Sequence, residues 1–133
     1  MLSSTPRTSA AGQPPPRPMK LLIAVIQPTK LEAVQQALRQ IGVTRFTVAD
    51  AMGFARQRGL DEMYRGAEYK TNLLRKVSLE IAVNDDFVER TVECLEKVAR
   101  TPGGGNIGDG KIFVLPLERT IQISDGQIGP GAV

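Results

Sequence analysis

The sequence predicts an α+β domain of order βαββαβ, and three observations point to it. Short apolar runs with strand-like character flank two segments whose apolar residues recur at helical spacing. Strands and helices interleave in the order that a split βαβ unit requires. One polar stretch, Gly53–Lys70 (GFARQRGLDEMYRGAEYK), interrupts the pattern between the second and third strands. It holds four basic and three acidic residues and both tyrosines of the chain. So long a polar connection inside a small domain marks a functional loop.

The first strand is Met19–Gln27 (MKLLIAVIQ), nearly continuous in branched apolar residues and therefore expected to be buried on both faces. Pro28 ends it, and Thr29-x-x-Glu32 has the form of a capping box at a helix start. Leu31, Val34, Leu38 and Ile41 then form one apolar face, and Gly42 closes the helix. Phe46, Val48, Met52 and Phe54 alternate with small or polar residues as a second strand. Beyond the polar loop, Val77, Leu79, Ile81 and Val83 alternate with Lys76, Ser78 and Glu80, a third strand with one apolar and one polar face. Asn84-Asp85-Asp86 with Glu89 starts a second helix, whose apolar stripe is Val88, Val92, Leu95 and Val98. Ile112–Leu115 is a fourth strand, ended by Pro116, and Ile121 and Ile123 mark a short final strand before an Asp125-Gly126 turn. The order is that of a ferredoxin-like sandwich. Two helices cover one face of its sheet only, so a second copy of the chain is expected on the other, giving a homo-oligomer.

Composition narrows the function. A chain of 133 residues supports one domain. Met1–Pro18 holds five of the nine prolines and no acid, so residues 1–18 are expected to be a disordered tail and 19–133 the domain. Arg7 and Arg17 in that tail supply two of the three net positive charges, so the body is near neutral and no nucleic-acid partner is expected. Cys94 is the only cysteine, which excludes an intramolecular disulfide and fits a reducing, cytoplasmic setting. With no histidine and one cysteine, zinc and haem sites are excluded and the commonest general base is missing. No apolar run approaches membrane-spanning length, so no membrane insertion is expected.

Three motifs now stand in that frame: GFARQ (Gly53–Gln57), YRGAEY (Tyr64–Tyr69) and IGDGKIFV (Ile107–Val114). In this order they resemble the P-II family of nitrogen-regulatory signal-transduction proteins, over about residues 19 to 129. The resemblance implies a homotrimer that binds ATP or ADP in clefts between subunits, with 2-oxoglutarate joining through a magnesium ion on the nucleotide. It implies that the long loop, the T-loop, docks onto an ammonium transporter, a metabolic enzyme or a regulator. Carried over by position, Thr47, Gly53, Phe54, Arg56, Gln57, Glu80, Ile107, Gly108, Asp109, Gly110 and Lys111 would contact nucleotide. Gln57 and Lys76 would contact 2-oxoglutarate, with Gln57 also serving the magnesium. Tyr69 matches a tyrosine that some members carry uridylylated, and Arg65 and Tyr64 would face the docking partner. The chemistry agrees in part: glycines either side of Asp109 leave amides open to phosphate oxygens, and Lys111 adds charge there.

The chain departs from the family on one side of that site. The family's helix-to-strand connection is commonly Thr-Gly-Lys; here it is Thr-Pro-Gly-Gly-Gly-Asn, with Asn106 in the place of the lysine. Gln122 and Ser124 stand where the family commonly has two arginines on its last strand. A charged hydrogen bond to phosphate contributes roughly 1.5–3 kcal/mol, so three losses predict weakened triphosphate binding and a shift toward ADP or AMP, with weaker 2-oxoglutarate sensing. The added glycines forming an amide nest would instead restore ATP.

The leading reading is thus a ligand-responsive regulator and not an enzyme. Its alternatives are a P-II-like regulator of carbon or bicarbonate metabolism that reads ADP and AMP, and a nucleotide-free docking protein. An acylphosphatase- or nucleotidase-like enzyme on this fold lacks a carboxylate pair beside a nucleophile. An RNA-binding module would need paired aromatics on the sheet, which four Phe and two Tyr do not provide.

Overall fold

The computed structural model describes residues 18–57 and 70–129. Its elements run β1 (Met19–Ile26), α1 (Leu31–Gln40), β2 (Thr47–Gln57), β3 (Lys70–Asn84), α2 (Asp85–Ala99) and β4 (Gly110–Leu117). The four strands form one antiparallel sheet in the order β2-β3-β1-β4. This is the predicted α+β, ferredoxin-like sandwich. The expected tail lies outside the described residues.

Register explains the two-faced sheet. Leu22 lies opposite Ile81, Ala24 opposite Leu79 and Ile26 opposite Val77, so their side chains share the face on which both helices pack. All six are buried, and Val34 and Leu38 of α1 and Leu95 and Ala99 of α2 close the core over them. On the opposite face, Leu21, Ile23 and Val25 of β1 are half-buried, while Phe113 and Leu115 of β4 are exposed. The first strand is apolar on both sides, as predicted, and a single chain covers one of them.

Several local expectations are corrected. No capping box forms at Thr29. Pro28–Lys30 is a tight 3-10 turn, and Lys30 enters α1 with backbone angles already near helical and no side-chain cap. A capping side chain needs an extended residue at that point, and Thr29 lies inside the turn. Asn84 precedes α2 in extended conformation, but its side chain does not cap the helix, and its Oδ1 is buried without a partner. Asp85 is instead tied to β1, its N–H donating to Pro18 O at 3.1 Å and its carboxylate pairing with Lys20 at 2.6 Å. The fully buried line of α2 is Thr91, Leu95 and Ala99, with Val88, Val92 and Val98 half-buried beside it.

Strand limits move as well. β2 and β3 stay paired out to Gln57 opposite Lys70, so GFARQ is strand and not loop. Met52, Phe54, Leu73 and Leu74 are exposed along that extension. The hairpin there is held by its backbone ladder and not by a buried face, so apolar periodicity ends before the strand does. Pro116 does not end β4 but lies within it opposite Lys20, which an edge strand tolerates because one N–H row bonds nothing. The expected last strand is a single bridge, Ile121 to Ile128, around a turn in which Gly126 N donates to Gln122 O at 2.7 Å.

Candidate functional site: the glycine loop and the foot of the hairpin

Between α2 and β4 the chain makes its most polar local structure. Ile107–Asp109 is a 3-10 turn closed by a true capping box: Asn106 Oδ1 accepts from Gly108 N at 3.4 Å, and Asp109 accepts from Asn106 N at 2.8 Å. The Asp109 carboxylate also takes the Thr101 N–H at 2.9 Å and the Thr101 hydroxyl. The Thr101 hydroxyl first, then its N–H and that of Asn106, with the charge of Lys30, hold the Asp109 carboxyl below the usual carboxylate range. Asp109 therefore acts as the clasp of the 101–109 loop.

Two donors from elsewhere anchor that loop. Gln27 Nε2 and Lys76 Nζ each donate to the carbonyl of Gly108 at 2.6 Å. Gln27 follows β1 directly, and Lys76 stands midway along β3 on its open face, level with the end of β1, so both reach the loop from the two central strands. The Lys76 stem lies across Gly53, where a Cβ would come within 3.2 Å of it. Gly110, at φ 126, begins β4 against β1 so closely that a Cβ would overlap the Val25 carbonyl outright.

The expected site residues divide into three groups. Gly53, Lys76, Gly108, Asp109 and Gly110 are brought together at the foot of the β2–β3 hairpin, with Lys111 next along β4 and Ile107 fully exposed beside them. Thr47 and Glu80 face each other across β2 and β3, on the same open face but four residues further along, roughly 13 Å away. The fold of one chain does not bring that pair to the loop. Phe54 is exposed, and Arg56 and Gln57 pair through their backbones with Thr71 and Lys70. Tyr64, Arg65 and Tyr69 lie outside the described residues. Gln27, Thr101 and Asn106 hold the loop without standing among the expected site residues; the one signal for them in the sequence is a lone Gln ending an apolar strand just before a proline.

An open cleft of about 820 Å³ runs between α2 and β4 and reaches this loop. Val92, Leu95, Ile112 and Val114 line its floor, and Glu96, Arg100, Asn106 and Asp109 its polar end. Gln122 and Ser124, expected on a strand pointing toward the phosphate side, are elsewhere. Both lie in the 122–129 turn, Gln122 Nε2 donates to Asp125 at 3.3 Å, and neither lines the cleft. Among the described residues no group of His, Cys, Asp and Glu is placed to hold a metal ion. No described helix is long and apolar enough to cross a membrane.

The fold and the site thus define a ferredoxin-like domain whose polar side chains converge on a glycine loop at the foot of a long hairpin, with no histidine anywhere in the chain. Comparison with known proteins makes that class specific. The family model described as nitrogen regulatory protein P-II matches residues 19–127. Nitrogen regulatory protein GlnK1 of Methanosarcina mazei is 47% identical over 115 residues, 86% of this chain and 97% of that one. GlnK of Escherichia coli is 45% identical over 86% of this chain and all of its own length. Among solved structures, B. subtilis GlnK superposes with a TM-score of 0.72 at 34% identity, covering 87% of this chain and 99% of that one. Its complex with ATP gives 0.71 at 30% identity, covering 87% and 98%. Arabidopsis thaliana P-II bound to citrate gives 0.69 at 33% identity, covering 88% and 94%. The chain belongs to the P-II family of nitrogen regulatory proteins.

Proposed function

We propose that this P-II protein binds adenine nucleotide in clefts between the subunits of a homotrimer and signals by docking its T-loop onto a target protein. The observation that carries this reading is the tie between Lys76 and Gly108. It joins the glycine loop, where phosphate would sit, to β3, the strand that follows the T-loop. A ligand that engages either group acts on the other. The separation of Thr47 and Glu80 from the loop supports a site completed by a second subunit, and the apolar open face around Ile23, Phe113 and Leu115 supplies the surface for assembly.

Nucleotide contacts are assigned to Thr47, Gly53, Phe54, Arg56, Gln57, Glu80 and Ile107–Lys111, and the ATP-bound relative supports that class of ligand. Gln57 would hold magnesium through the nucleotide. Gln57 and Lys76 would take 2-oxoglutarate, and the citrate-bound relative supports a carboxylate ligand of that kind. The protein acts as a regulator and catalyses nothing. Tyr69 is the modification position, and Arg65 and Tyr64 meet the target, an ammonium transporter, a metabolic enzyme or a regulator. Calorimetric titration with ATP, ADP and AMP, with and without magnesium and 2-oxoglutarate, tests the input. Saturable heat from at least one adenylate and a mass three times 14.4 kDa by light scattering are expected. A monomer that gives no heat with any of them refutes the reading.

A further inference from the structure

The cleft between α2 and β4 ends where one cation, Arg100, meets Gly104 and Gly105, two of three consecutive glycines. Arg100 directly follows α2 and lines the cleft with Gly104, Gly105 and Asn106, while Lys111, opposite Val25, belongs by register to the other face of the sheet. Two acids share this end. Asp109 is committed to Thr101 and Asn106. Glu96 stands 3.5 Å from Arg100 with both side chains more than half exposed, and such an i,i+4 pair shifts an equilibrium by roughly fivefold at most. The Arg100 guanidinium is therefore available to a stronger partner.

The glycines set where that guanidinium lies. Gly103, Gly104 and Gly105 have φ of 92°, 108° and 88°, a succession closed to other residues without strain. A Cβ on Gly105 would lie 3.1 Å from Arg100 Cγ and 3.4 Å from its Cδ. The arginine stem thus rests on bare backbone, which a side chain at 105 would push away. Gly104 has open space around it, so at Gly104 and Gly105 the turn presents backbone and no side chain to the cleft.

We propose that Arg100, seated by the triple-glycine turn, is the phosphate-contacting cation of this cleft and takes the polyphosphate end of an adenine nucleotide. It supplies the charge that Asn106, Gln122 and Ser124 do not. The assignment rests on the nucleotide-binding reading above. A guanidinium fits the role because its planar fork meets two phosphate oxygens at once and offers nothing that selects an adenine edge.

The test is titration of the wild type, Arg100→Gln, Arg100→Lys and Gly105→Ala with ATP, AMP and adenosine. Arg100→Gln should weaken ATP about tenfold to a hundredfold, AMP less, and adenosine not at all. Arg100→Lys should fall between, keeping charge without the fork. Gly105→Ala should reproduce the ATP-selective loss while leaving adenosine binding, and hence the folded cleft, intact. ATP binding unchanged in Arg100→Gln, or an equal loss for all three ligands, overturns the assignment and leaves the nucleotide reading standing. So does a wild type that prefers adenosine to ATP. A wild type that binds no adenylate at all fails the nucleotide reading and this assignment with it.

Discussion

Lys76 on β3 donates through Nζ to the Gly108 carbonyl at 2.6 Å, bridging 32 residues of sequence, and Gln27 donates to the same oxygen from the end of β1. Two side chains from neighbouring strands thus fix one backbone atom of the glycine loop. Lys76→Met keeps the stem over Gly53 and removes the bond. It should cost about 1 kcal/mol at fixed protomer concentration, less than a charged hydrogen bond usually gives, because Gln27 remains. Gln27→Ala should cost a similar amount. The double variant should lose more than the sum, since Gly108 O is then left with neither donor. Urea denaturation of the four proteins measures the coupling, and additive losses would refute the shared anchor.

The clasp at Asp109 predicts an acid limb. Its carboxyl is held below the ordinary range by the Thr101 hydroxyl first, then by the Thr101 and Asn106 amides and Lys30. A group with a depressed pKa contributes stability that is fully present above its unfolded pKa, about 3.9, and is lost as pH falls through the folded value. Asp109→Asn should therefore be less stable than wild type at pH 7, with the gap closing as pH drops below about 4. Denaturation midpoints from pH 7 to pH 3 check the sign; a gap that widens in acid contradicts the clasp.

Gly110 and Gly103 separate two kinds of glycine. Gly110→Ala places a methyl on the Val25 carbonyl in addition to the strain of φ 126, and should cost about 3 kcal/mol or more, loosening β4 from β1. Gly103→Ala meets open space and should cost only the left-handed strain, about 1–2 kcal/mol. Thermal denaturation, with amide exchange along Gly110–Leu117, distinguishes them.

Among the described residues Thr91 is the one buried polar residue, and its hydroxyl donates to Phe87 O at 2.7 Å, four residues back on its own helix. That carbonyl keeps its helical partner when the hydroxyl is removed. Thr91→Val should therefore change stability by no more than about 1 kcal/mol. Leu95→Ala, one turn further along, should cost about 2–5 kcal/mol through lost burial and a cavity. Equal losses at both positions would show that the Thr91 hydroxyl is needed for more than filling space.

Element order, core and the two-faced sheet are legible in the sequence alone. Leu22, Leu38, Leu79 and Ile81 lie in segments whose period of 2 or 3.6 follows directly from burying one face. The sequence also picks out the glycine motif, although the close approach at Gly110 is to the Val25 carbonyl of β1 and Gly108 has only the Gln27 side chain beside it. Tertiary structure decided the rest. The hairpin runs on to Gln57 and Lys70 because ladder bonds need no apolar partner, and periodicity cannot register them. Thr29 has the letters of a cap and Asn106 performs one, since capping depends on backbone angles and not on residue type. Gln27, Lys76 and Gly108 are far apart in sequence, and only the pairing of β1 with β3 and β4 puts two donors on one carbonyl.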